Sequence, residues 1–190
     1  MPPRSLVVLA GLPGAGKTTL LRRLDAHGAP GVRALDSEEV ADRLRPLVRH
    51  VPYRVLRPAV HALHLLRVLR DAATPITCVL TTDPMTSPLR RWLLHLVARS
   101  SGRSLAVVLV DATEQQARSG QRARGRTLGP RRMAQHVSRA DRLRDRLERT
   151  GGMSFVDEVL VLRRDVARST GAIVVEAAGL SLQRPRLRAA

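Results

Sequence analysis

Gly11-Leu12-Pro13-Gly14-Ala15-Gly16-Lys17-Thr18-Thr19 is the segment of this chain best suited to chemistry, and Lys17 is its only lysine. The other members of the 33 lysine and arginine residues are all arginine, so a compact ammonium is kept at this one position. Glycines let a backbone wrap with its N–H groups turned inward, and a helix that follows aims its positive dipole end at the same point. Such a nest suits phosphate. Lys17 would bridge the β- and γ-phosphates of a nucleoside triphosphate, the Thr18 hydroxyl would take one position on Mg²⁺, and Thr19 would hold a phosphate oxygen. Gly11, Pro13, Gly14, Ala15 and Gly16 complete the candidate nucleotide site.

The flanking elements decide whether the loop can be held in that shape. Leu6–Ala10 is an apolar run that reads as a buried parallel strand entering it, and Leu20, Leu21 and Leu24 recur at helical spacing beyond it, with Gly28 as a stop signal. Further strands are predicted at Gly31–Leu35, Ile76–Leu80, Leu105–Val110 and Val159–Leu162, with Ala172–Val175 as a candidate edge strand. Asp36 with Glu39 reads as a capping box, Pro58 as a first-turn proline, Ser87-Pro88 as a helix start, and Thr113 with Gln116 as another capping box. Met133, Val137, Ala140, Leu143 and Leu147 form one stripe of a long arginine-coated helix. Alternation of this kind predicts an α/β fold, a doubly wound parallel sheet of about five strands, within one domain over residues 1–180. An arginine-rich tail at 181–190 is expected to fray.

Composition narrows the classes. A 44% hydrophobic content suffices for one core, and no segment approaches a membrane span. Cys78, the single cysteine, reads as a small core residue and rules out internal disulfides. The expected location is the cytoplasm. The net charge of +17 raises nucleic acid as a partner, but Tyr53, Trp92 and Phe155 are too few for a base-stacking platform, so a small acceptor is favoured over it. The chain has no asparagine, which excludes the Asn-Lys-x-Asp guanine reader of common GTPases, and Val110-Asp111-Ala112 lacks the Asp-Glu pair of oligomeric motor ATPases. Asp111 itself reads as a turn cap.

The GLPGAGKTT loop, the Leu35-Asp36-Ser37 strand end and the GQRARGR segment together resemble the P-loop kinase superfamily, in its nucleoside-kinase-like branch. That group includes zeta-toxin-like kinases, polynucleotide 5′-hydroxyl kinases, chloramphenicol phosphotransferase and gluconate kinase. Residues 52–64 also resemble bacterial ATP-binding kinases of unknown acceptor. The resemblance implies an ATP- and Mg²⁺-dependent phosphotransferase acting on a hydroxyl, with nucleotide-binding regulation or 5′-hydroxyl nucleic-acid phosphorylation as alternatives.

The resemblance further implies that Asp36, besides capping a helix, orients or deprotonates the acceptor hydroxyl. It implies an arginine-rich lid at about 118–130, in which Arg122 and Arg126 would stabilise charge on the transferring phosphoryl group. In such kinases a carboxylate ending strand three assists Mg²⁺. Here Asp83 stands late, before Pro84, so Thr18 with Asp83 or Asp36 is the candidate metal set. Tyr53, Arg54, Arg57, His61 and His64, between strands two and three, are candidates for the acceptor pocket.

Overall fold

A computed structural model describes residues 4–26, 30–45, 50–51, 53–83, 85, 87–125, 127–169, 172–176 and 179–183, with the side chains of 26, 53, 54, 57, 169, 172–176 and 179–183 left out. Five parallel strands form the main sheet: β1 (Ser5–Gly11), β2 (Val32–Leu35), β3 (Cys78–Thr82), β4 (Ser104–Asp111) and β5 (Glu158–Arg163), in the order β2-β3-β1-β4-β5. β1 is central; Leu6 sits opposite Val79 on one side and Leu105 on the other. The chain passes to one side of β1 for β2 and β3 and to the other for β4 and β5, which opens a crevice at the carboxyl ends of the strands.

β1 is buried along its whole length, as its unbroken apolar run demands, and its alternate residues serve two cores. Val7 and Leu9 pack with Leu20, Leu21 and Leu24 of helix α1 (Lys17–Ala26), whereas Leu6 and Val8 pack with Val68 of α3 (Tyr53–Ala72) and Leu94 of α4 (Pro88–Ser100). Helix α2 (Ser37–Leu44) follows β2, α5 (Glu114–Arg122) follows β4, α6 (Pro130–Thr150) precedes β5, and α7 (Arg164–Ser169) follows it. The α6 stripe is present and divides its work: Met133, Val137 and Ala140 join the first core, Leu143 and Leu147 the second. At the opposite end of the sheet, the buried Arg103 guanidinium donates to the carbonyls of Ser5, Ala72, Thr74, Ile76 and Thr77, closing the end of α3 onto the strands.

Several sequence expectations need correction. Residues 172–176 do not extend the main sheet; β6 (Ala172–Glu176) pairs antiparallel with β7 (Gly179–Gln183) as a separate two-stranded sheet. The tail expected to fray from residue 181 therefore begins inside β7, and residues 184–190 lie outside the described ones, as does Gly28. Pro58 is not in a first turn but inside α3, where it has no N–H for the carbonyl one turn back. β3 runs to Thr82, two residues beyond the predicted end, which puts Asp83 directly at the strand terminus.

Candidate active site

The loop between β1 and α1 has the shape its glycines allow. Gly14 has a φ of 91°, and a Cβ there would overlap the Ala117 carbonyl of α5. Gly120 returns the approach, since a Cβ on it would overlap the Gly14 carbonyl. Among the described residues the Ala15 amide bonds to the Leu12 carbonyl at 3.0 Å, and the first helical bond runs from the Leu20 amide to the Gly16 carbonyl at 2.9 Å. The amides of Gly14, Gly16, Lys17, Thr18 and Thr19 have no protein acceptor among the described residues, which is the condition for holding an anion.

Lys17 crosses back over this loop, its Nζ donating to the carbonyls of Gly11 at 2.9 Å and Leu12 at 3.0 Å. Burial lowers its pKa to about 8; the nearby Arg124 acts in the same direction, while Asp83, Asp36 and Glu38 oppose it. The ammonium is thus poorly compensated by its surroundings and would gain from a polyanion.

Two carboxylates flank it from the neighbouring strand ends. Asp36, directly after β2, is 4% exposed and caps α2, its Oδ1 accepting from the Glu38 amide at 3.0 Å. The expected capping box does not form, because Asp36 accepts from the amide of Glu38, one residue early, and the Glu39 side chain turns away to Arg67 at 3.3 Å. Oδ2 of Asp36 is buried without a partner among the described residues, an arrangement that ordinary capping does not require. Asp83 is fully engaged: Oδ1 accepts from the Met85 amide at 2.7 Å and Oδ2 pairs with Arg90 at 2.9 Å. Burial pushes its pKa up, and Arg90 counters part of that shift. Asp111 does not cap a turn; it is held by Arg144 at 2.7 Å.

Beside Asp83, between α3 and α4, lies a cavity of about 260 Å³ lined by both His61 and His64. The structure thus brings these two histidines together with Asp83 in one lining. The side chains of Tyr53, Arg54 and Arg57 lie outside the described ones, and only their backbone, opening α3, is placed. His64 shares a hydrogen bond with Thr81 Oγ1 at 2.8 Å, and burial lowers its pKa to about 4. A histidine whose folded pKa falls from 6.5 to about 4 binds fewer protons than the unfolded chain between those values, so it removes stability as pH falls through that window. His64→Gln is expected to flatten the loss of stability between pH 6.5 and 4, as measured by urea unfolding at a series of pH values.

On the other side of the loop a second cavity, about 250 Å³, is lined by Gly14, Gly16, Thr19, Arg124, Arg164 and Arg168, among others. Within 118–130, the segment expected to be a lid, α5 is regular as far as Arg122 and α6 starts at Pro130. Arg118 pairs with Glu114 on α5, and Arg122 is exposed at the end of that helix, lining neither cavity; Arg126 lies outside the described residues. The arginine that meets the loop is Arg124, whose Nη2 donates to Thr19 Oγ1 at 3.2 Å.

Gln121 was not foreseen. Its Nε2 donates to the Pro13 carbonyl at 2.8 Å and its Oε1 accepts from the Leu128 amide at 2.8 Å, tying the phosphate loop to the segment before α6. The available signal was Gly120, a glycine within a helix, which marks a close backbone approach. Arg164, next after β5, was also legible as a residue at a strand's carboxyl end. Gln121→Ala leaves a buried carbonyl and an amide without partners and is expected to cost about 2–3 kcal/mol by chemical denaturation.

A glycine-shaped loop with free amides, a lysine at its mouth and a central parallel strand leading into it define a P-loop nucleotide-binding protein of kinase-type fold. The chain belongs to the AAA_33 family, described as an AAA domain, which it matches over residues 6–150. No curated protein sequence matches it. Its fold is similar to that of a candidate kinase from Chloroflexus aurantiacus, at a TM-score of 0.62 and 15% identity over 86% of each chain. It is also similar to the tunicamycin resistance protein of Deinococcus radiodurans, at 0.56 and 18% identity over 96% of this chain and 99% of that one. Shikimate kinase from Acinetobacter baumannii, solved with shikimate, aligns at 0.53 and 20% identity over 87% of this chain and 89% of that one. Among the described residues no helix is long and apolar enough to cross a membrane.

Proposed function

We propose that this protein transfers the terminal phosphoryl group of ATP to a hydroxyl of a small acceptor. The observation that carries this reading is the pairing of an amide nest under Lys17 with a buried Asp36 whose Oδ2 has no partner among the described residues. A nucleotide-binding module has use for the nest alone, whereas the buried carboxylate oxygen beside it fits an acceptor proton.

The loop amides and Lys17 fit the phosphate chain, and the arginine-lined cavity at Arg124, Arg164 and Arg168 fits the nucleoside end. The Thr18 hydroxyl, buried at the start of α1, fits Mg²⁺ directly, and Asp83 at the end of β3, already paired with Arg90, fits it through a retained water, since Mg²⁺ prefers oxygen ligands and keeps several waters. When bound, the metal supplies positive charge that screens the phosphate oxygens. The bond formed joins the acceptor oxygen to the γ-phosphorus; the bond broken runs from that phosphorus to the β–γ bridging oxygen, with its electron pair leaving on ADP. Asp36 Oδ2 receives the hydroxyl proton. Because phosphoryl transfer is loose, the chief service of Asp36 is to orient that hydroxyl, and Lys17 with Arg124 stabilises charge on the leaving side.

ADP formation measured over nucleosides, sugars, aminoglycosides, simple alcohols and 5′-hydroxyl oligonucleotides tests the reading. One acceptor that raises the rate well above basal hydrolysis is the expected result. Nucleotide binding without stimulation by any of them would overturn it.

A further inference from the structure

The cavity between α3 and α4, at about 260 Å³, is small beside the roughly 300–1,000 Å³ of ordinary ligand pockets. Its wall is chiefly Ala62, Leu65, Val68, Leu93 and Leu94. Six polar side chains also line it, His61, His64, Thr81, Thr82, Asp83 and Arg90, and four of them are paired with one another. Asp83 faces Arg90 at 2.9 Å, so the pair brings no net charge. The Thr81 hydroxyl is engaged by His64 at 2.8 Å, and burial keeps His64 uncharged above a pH of about 4. What remains, besides His61, is the Thr82 hydroxyl and His64 Nδ1, the latter buried and without a partner among the described residues, with Asp36 near enough to influence the same ring.

A carboxylate or phosphate on the acceptor would find no free countercharge in the described lining, and a polyol would bring more hydroxyls than there are groups to receive them. Buried polar groups left unpaired are disfavoured strongly enough to decide between substrates. Resting on the phosphotransferase reading above, we propose that the acceptor is a compact, uncharged alcohol with a hydrocarbon or aryl body and one or two hydroxyls, not a sugar acid, polyol or nucleotide. The apolar body fills the space between α3 and α4, and the hydroxyl lies at the strand ends, where its oxygen forms the bond to the γ-phosphorus, ADP departs, and Asp36 takes the proton.

The test uses the full chain and two readouts. Saturation-transfer NMR with 2-phenylethanol, gluconate and myo-inositol, in the presence of a non-hydrolysable ATP analogue, reads occupancy directly; ADP formation reads transfer. 2-Phenylethanol is expected to bind and to exceed gluconate in kcat/KM by about tenfold or more. Leu93→Asp should weaken 2-phenylethanol binding by about tenfold while affinity for a fluorescent ATP analogue stays within about twofold. Ala62→Trp, at an exposed lining position, fills the same space should the aspartate variant fail to fold. Preference for gluconate or inositol, no binding of 2-phenylethanol, or undiminished binding in both variants would overturn the substrate inference while leaving the phosphotransferase reading intact. Failure of the wild-type protein to bind the ATP analogue would remove both.

Discussion

Lys17→Ala is expected to lower acceptor-dependent ADP formation by about 10³-fold, the scale seen when one preorganised charge donor to a transition state is removed. The loss should fall mainly on kcat, because the loop amides still hold the phosphates in the variant. Lys17→Arg should not rescue it, since a planar guanidinium is larger than the ammonium that now reaches the Gly11 and Leu12 carbonyls. The amine also predicts a pH signature. Its pKa of about 8 in the folded protein is below the ordinary 10.5, so the unfolded chain binds more protons between those values. The nucleotide-free protein should therefore gain stability as pH rises from about 8 to 10.5, and Lys17→Ala should abolish that slope. Phosphate favours the charged amine, so ATP affinity should move the opposite way, weakening by up to about tenfold per pH unit above 8. Calorimetric titration at several pH values, alongside denaturation, checks both signs.

Asp36→Asn is expected to lower kcat by about 10²-fold or more with the KM for ATP little changed. Asparagine is the informative replacement. Its carbonyl oxygen can still accept from the Glu38 amide and cap α2, so folding stability should hold within a few tenths of a kcal/mol. Asp36→Ala should instead lose about 1 kcal/mol as well as the rate. If Asp36→Asn turned over at the wild-type rate while Asp36→Ala was merely less stable, Asp36 would be a helix cap alone and Asp83 the next carboxylate to replace. Steady-state kinetics with urea unfolding on both variants separates these outcomes.

The loop and its setting were legible because local rules and tertiary structure agree there. An unbroken apolar run, three glycines and a leucine-spaced helix all specify strand, turn and helix, and the structure follows them. β3 was read two residues short because Thr81 and Thr82 look polar, yet both are buried in the strand, Thr81 with its hydroxyl matched by His64. That error made Asp83 look displaced from the strand end it occupies. The arginines were harder. In a chain whose basic residues are arginine everywhere but at Lys17, residue type does not separate a site arginine from a surface one, and only placement does. Arg124, two residues past α5, reaches Thr19, whereas Arg118 is satisfied by Glu114 on its own helix. The antiparallel β6–β7 pair was missed because a short apolar stretch says nothing about which strand it will join.

The solitary lysine also makes the protein unusually simple to label. A reagent that acylates amines meets one side-chain target in this chain, already partly deprotonated near pH 8, and that target lies where the outer phosphates would rest. Bound nucleotide should shield it. The mass added at Lys17 would then count vacant sites directly, with no other ε-amine to confuse the reading.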